Sequence, residues 1–157
     1  MIASAESVTA LHDVAGKVVV AGSHGGIIAA WYAAKAGVRA VILHDAGIGK
    51  DEAGVAGLPF LEKLGMAAAA VSHKTATIGE SSDMLARGVI SCSNSIARAL
   101  GVQPGLRCRD AALRLSAWAS VLAAMKPTPS RPSSIIRLTA FCPPPPRPMI
   151  FTTAVPT

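Results

Sequence analysis

Aromatic side chains are scarce in this chain: Phe, Trp and Tyr together make up 4% of 157 residues. A core with so few large rings has to be built from Ala, Val, Ile and Leu, which requires helices and sheet to approach closely. Cysteine is scarce as well. Cys92, Cys108 and Cys142 are odd in number, widely spaced and without a C-x-x-C pair, which excludes zinc-ribbon and thioredoxin-type sites. Unpaired thiols fit a reducing, cytoplasmic compartment. The first residues lack the basic segment and long apolar run of a secretory signal. The longest helix-like apolar stretch, 111–125, is interrupted by Arg114 and is too short to cross a bilayer. A soluble protein with no membrane partner is expected.

Acidic residues are missing from the end of the chain. Residues 126–157 carry four Lys/Arg and no Asp/Glu, whereas residues 1–125 carry eleven Lys/Arg against nine Asp/Glu. Most of the formal charge of +6 therefore belongs to the tail, and no nucleic-acid-binding face is expected on the folded part. Nine of the eleven prolines also lie between Pro127 and Pro156. Proline removes backbone donors, so this stretch is expected to be a disordered or polyproline-type tail following one domain at 1–125.

Within that domain the strongest signal is Lys17-Val18-Val19-Val20-Ala21-Gly22-Ser23-His24-Gly25-Gly26. A β-branched run enters a glycine-bracketed Ser-His and then an alanine-rich segment. The pattern predicts a buried strand at 17–22, a tight turn, and a helix at 26–36 ended by Gly37. Strands at 38–44, 66–72 and 89–92 alternate with helices at 52–64, 83–87 and 95–100, and a last helix covers 109–125. Residues 1–16 read as a short helix or a loop. This order predicts a small three-layer, doubly wound α/β domain, Rossmann-like or flavodoxin-like, with a four-stranded parallel sheet. The helix at 26–36 is apolar nearly all round and is expected to be covered on more than one side, pointing to a homo-oligomer.

Three successive strands end in histidine: Ser23-His24, His44-Asp45 and Ser72-His73. In open parallel sheets, ligands bind outside the carboxyl ends of the strands, near the point where strand order reverses. Catalysis would use Ser23 as nucleophile, His24 and His73 or His44 as acid–base groups, and Asp45 as the orienting carboxylate. The N–H groups around Gly22, Gly25 and Gly26 would hold an anion or oxyanion. The turn departs from the G-x-S-x-G nucleophile elbow, because Ala21 stands where the first glycine should be. A zinc site from His24, His44, His73 and Asp45 is the metal alternative; the leading reading needs no cofactor. Gly47-Ile48-Gly49-Lys50-Asp51 departs from a P-loop at both ends, with His44 and Asp51 in place of the first Gly and the Ser/Thr. Ser72, Ser81, Ser82, Ser91 and Ser95 read as caps and turn residues, and Cys92 as a small core residue at the same sheet edge. The expected function is a small-molecule hydrolase or lyase acting on a carbonyl-containing substrate. The competing class is a non-enzymatic, anion- or ligand-binding or oligomer-forming subunit.

Overall fold

The computed structural model describes residues 1–125; the expected tail, 126–157, lies outside the described residues. The architecture is mixed α/β. Five strands, β1 (Ile2–Ala5), β2 (Val18–His24), β3 (Ala40–His44), β4 (Ala67–Val71) and β5 (Ile90–Ser93), form one sheet in the order β1-β2-β3-β4-β5. The first four run parallel and β5 runs antiparallel to β4. Helices α1 (Ile27–Lys35) and α2 (Gly57–Lys63) cover one face. Helices α3 (Ser81–Arg87), α4 (Ser95–Ala99) and α5 (Cys108–Ala124) contribute to the other. None of the described helices is long and apolar enough to cross a membrane.

Alternation along the strands sorts the core into these two layers. Val19, Ala21, Val41, Leu43, Ala68 and Ala70 pack toward α1 and α2. Val18, Val20, Ala40, Ile42, Ala69 and Val71 pack toward α3 and α5. The run Ala67–Ala70 has poor intrinsic strand propensity, yet all four residues are fully buried. Small side chains suit a strand covered on both faces, and this tertiary burial outweighs propensity. The same economy of volume sets the α1–α2 contact: a Cβ on Gly57 would lie 2.6 Å from the Ala30 methyl and from the Gly26 carbonyl oxygen.

Three expectations are corrected. Residues 2–5 form an additional parallel edge strand, with Ile2 opposite Val18; four residues of mixed character show too short an alternation to reveal a strand. The sheet is not all parallel. The strand order is also sequential, so it contains no reversal point at which a ligand crevice would form.

The antiparallel turn of β5 follows from the path of residues 72–81. This strap runs sideways across the carboxyl edge of the sheet instead of returning along a strand. The His44 ring, at the end of β3, bonds the Ala76 carbonyl at 2.8 Å. Gly79 N–H then donates to Gly22 O on β2 at 2.8 Å, and the Ser81 hydroxyl donates to Glu6, just past β1, at 3.1 Å. By the start of α3 the chain has crossed to the far strands. The seven residues of α3 bring it back across the sheet, and β5 enters from the edge where β4 ended.

Candidate functional site

The strap and the strand ends beneath it form an open cleft of about 510 Å³, lined by residues 73–78 together with His44, Ala46 and Arg87. β3 and β4 are in register with His44 opposite Val71, so Asp45 and His73 leave adjacent strands at the same level. Asp45 is 2% exposed. Its Oδ1 accepts the backbone N–H groups of Gly47 and His73, both at 2.9 Å, and lies 3.2 Å from His73 Nδ1. Its Oδ2 accepts the Ser91 hydroxyl at 2.8 Å. Burial by itself pushes the Asp45 carboxyl up, but the bonds from Gly47, Ser91 and His73 together outweigh it and hold the group below its ordinary range. An ionised carboxylate only accepts, so Nδ1 of His73 carries a proton, and in the neutral ring Nε2 is the nitrogen with the lone pair. The His73 side chain is 45% exposed, and a Cβ placed on Gly47 would lie 3.9 Å from its ring.

The segment that carries Asp45 is strained. Ala46, Ile48, Asp51 and Glu52 all have positive φ, between 51° and 67°. Left-handed backbone costs a non-glycine residue roughly 1–3 kcal/mol, and a β-branched residue such as Ile48 is among the least suited to it. The tight path is held by Ile48 N–H donating to Asp45 O and Gly54 N–H to Ile48 O, both at 2.7 Å. It delivers the Gly47 amide to the Asp45 carboxylate.

Ser91 owes its position to a β-bulge. Ala70 pairs with Cys92 and Val71 with Ile90, so Ser91 is the extra residue on β5. A bulge re-aims a side chain, and here it points the hydroxyl at Asp45. The expectation that Ser91 is a cap or turn residue is thereby corrected. Cys92 pairs with Ala70, one residue inside the end of β4, packs against the α1–α2 side of the core and lines a separate cleft of about 350 Å³ with Val55, Leu58 and Arg98.

The remaining expected site residues are bonded elsewhere. Ser23 Oγ accepts Val8 N–H at 3.0 Å and, among the described residues, makes no hydrogen bond to His73 or Asp45. His24 Nδ1 accepts Gly26 N–H at 3.0 Å, closing the start of α1. Gly25 N–H donates to His44 O at 2.7 Å. The Gly25 and Gly26 amides, two of the three groups expected to face an anion, are thus used within the chain. Gly22 is required by close backbone packing: a Cβ there would lie 2.6 Å from the Gly79 carbonyl carbon and 2.7 Å from Glu6 O. His44 is 1% exposed; Nδ1 accepts Ala46 N–H at 3.0 Å, so Nε2 is the donor to Ala76 O. With both its nitrogens engaged, His44 cannot serve as base or metal ligand without losing a bond. No group of three or more His, Cys, Asp or Glu among the described residues is placed to hold a metal ion.

What the arrangement offers chemically is a carboxylate–imidazole pair with one open nitrogen, beside a cleft. Sequence reasoning found its two members. It missed Ser91, Thr77 and Arg87. Arg87 is held by Asp83, its i−4 neighbour, through bonds of 2.6 and 2.9 Å. Asp83 also accepts Thr77 N–H at 2.8 Å, which ties the strap to α3. No known family model, curated protein or solved structure matches the chain.

Proposed function

We propose that this protein is a cytoplasmic small-molecule enzyme, a hydrolase or lyase of a carbonyl-containing substrate, in which His73 is the general base and Asp45 its orienting carboxylate. The observation that carries the reading is the 3.2 Å contact from His73 Nδ1 to Asp45 Oδ1, which leaves Nε2 as the free nitrogen of a ring lining the cleft. A buried carboxylate fixes the tautomer and stabilises the imidazolium that forms when Nε2 takes a proton. Ser23 is bonded to Val8, so the proton comes from water or from a carbon next to the carbonyl, and the reaction passes through no seryl intermediate. Of the alternative zinc set, His44 has both ring nitrogens bonded within the chain, and this reading uses His73 itself as the base. The Rossmann-like or flavodoxin-like description remains an analogy of layers, since the strand order is sequential.

Incubation in D2O with a panel of 2-oxo acids, 2-hydroxy acids and their esters, followed by proton NMR, tests the reading. Wild-type protein should exchange or consume at least one member, and His73→Gln should lower that rate about 10²- to 10⁴-fold. An inert wild type, or a fully active His73→Gln, would sink it.

A second reading, that the chain is a subunit of a homo-oligomer, is favoured by α1. Its alanines at 29, 30, 33 and 34 are buried, whereas Ile27 is 50% and Ile28 66% exposed. The helix is therefore covered on one side within the chain and not on several. Light scattering at micromolar concentration distinguishes a monomer from an assembly that buries this face.

A further inference from the structure

His44 is a buried titratable group that the proposed reaction leaves unused, although it lines the cleft. Its two bonds fit a single ionisation state. Nδ1 accepts Ala46 N–H at 3.0 Å, and an amide only donates, so Nδ1 carries no proton. Nε2 carries it and donates to Ala76 O at 2.8 Å. An imidazolium would set a second N–H, on Nδ1, against the Ala46 N–H. The arrangement therefore admits the neutral ring alone. The amide held by Nδ1 belongs to the strained turn, where Ala46, Gly47 and Ile48 have φ of 51°, 78° and 67°. Ala46 and Gly47 are exposed, so rotating the peptide between Asp45 and Ala46 uncovers little apolar surface and takes Ala46 out of left-handed backbone.

We infer that His44 is a pH-sensitive latch on the turn 46–48: a proton taken at Nδ1 releases the Ala46 amide, and the turn relaxes. Gly47 N–H, which donates to Asp45 Oδ1 at 2.9 Å, then leaves the carboxylate. The charged ring keeps its bond to Ala76, because Nε2 stays a donor, so the cleft changes on its Ala46 side and the strap holds. The charged and titratable groups facing the ring are His24, opposite it on β2, Asp45 beside it in the chain, His73 and Lys74 on the strap, Arg87 on α3, and Asp83 paired with Arg87. Among the described residues, neither carboxylate accepts a bond from His44. Asp45 is bonded to Gly47, His73 and Ser91, and Asp83 to Thr77 and Arg87. No bonded anion stabilises the imidazolium in the closed turn, so the proton is taken up with opening. His73 takes its own proton at Nε2, with Nδ1 still toward Asp45.

One proton bound on opening raises the opening constant by up to about tenfold per pH unit as pH falls. Amide hydrogen exchange of the full chain, corrected for its intrinsic pH dependence, tests this between about pH 7.5 and pH 5.5, where histidines titrate and ordinary carboxylates stay ionised. Protection of Ala46 and Gly47 should fall with acid at that slope. Asn94 N–H, bonded to Ala68 O at 2.9 Å, should keep its protection. His44→Asn offers the Ala46 amide an acceptor oxygen that gains no proton, and should abolish the slope; His73→Gln should retain it. Nitrogen-15 shifts of the wild-type His44 ring should show the Nε2–H form at neutral pH and titrate together with the Ala46 exchange. A flat Ala46 profile in wild type, a slope that survives His44→Asn or vanishes in His73→Gln, or a ring protonated on Nδ1 at neutral pH would overturn the inference. If His44→Asn does not fold, the ring titration decides: a ring that titrates apart from the Ala46 exchange overturns the latch, and one that titrates with it upholds the latch. None of these measurements uses turnover, so an inert protein sinks the enzyme reading without touching this one.

Discussion

Two turns leave the same edge of this sheet, and they have opposite fates. The turn after β2, residues 22–26, has most of what a ligand-binding turn would need on paper: glycines, a serine, a histidine and a helix start. In the folded chain the polar groups expected to act there are spent at home. Ser23 Oγ takes Val8 N–H, His24 Nδ1 takes Gly26 N–H, and Gly25 N–H goes to His44 O. The ends of β3 and β4 are plainer in sequence, yet there Asp45 collects bonds from Gly47, His73 and Ser91 while His73 keeps one nitrogen free. A general base is marked by a ring nitrogen that the fold orients and leaves with its lone pair; the Nδ1 lone pair of His24 is taken by Gly26 N–H, whereas His73 faces the Asp45 carboxylate through Nδ1 and keeps Nε2 open.

The largest effect that would test this contrast is expected at Gly22. Gly22→Ala places a methyl against backbone atoms of Gly79 and Glu6, none of which can rotate away. Overpacking of this kind should cost about 3 kcal/mol, read as a lower denaturation midpoint. Unchanged stability would mean that the turn after β2 is looser than described and has room for a ligand.

A smaller and pH-dependent effect is expected at Asp45. Its folded-state carboxyl titrates below the ordinary value of 3.8. The sign then follows from linkage: the stabilisation is fully present above about pH 4 and is lost as pH falls through the lowered folded value. The stability difference between wild type and Asp45→Asn should therefore shrink on acidification below pH 4, measured by urea unfolding across that range. A difference that stays constant would contradict the anchored, ionised carboxylate on which the role of His73 depends.

The smallest effects separate two serines. Ser23→Ala removes a bond from a neutral amide and should cost about 1 kcal/mol of stability, and Ser91→Ala removes one to the ionised Asp45 carboxylate and should cost about 2 kcal/mol. They should differ in turnover. Ser23→Ala leaves the rate unchanged, whereas Ser91→Ala frees one oxygen of Asp45 and lowers the rate, with Ser91→Thr restoring part of it. Equal rates in Ser23→Ala and Ser91→Ala would erase the distinction between the two regions.

Much of the architecture was legible in local pattern. The runs 18–21 and 40–43 carry enough β-branched and apolar residues to be read as buried strands. Glycines at 37, 65, 88 and 101 mark where helices stop, and Asn94 is readable as a cap: its Oδ1 accepts Ala97 N–H at 3.0 Å. The placement of Asp45 and His73 was legible too, because residues just past adjacent parallel strands share an edge. The weak strand at 67–71 was placed by its position in the alternating order, and its composition becomes intelligible only once both faces are seen to be covered.

By itself, then, the sequence determined the layered α/β class, most element boundaries and the nearness of Asp45 to His73, since all of these depend on interactions within a few residues or on the repeat of strand and helix. Tertiary structure alone decided the direction of β5, the bulge that aims Ser91 at Asp45, and the consumption of the Ser23 turn by internal bonds. Each of those depends on where the strap 72–81 crosses the sheet edge. That path is set by contacts between residues far apart in the chain, such as Glu6 with Ser81 and His44 with Ala76. A hydrogen-bonding group has the same identity whether it is satisfied internally or left open to a ligand, and only its neighbours in space distinguish the two.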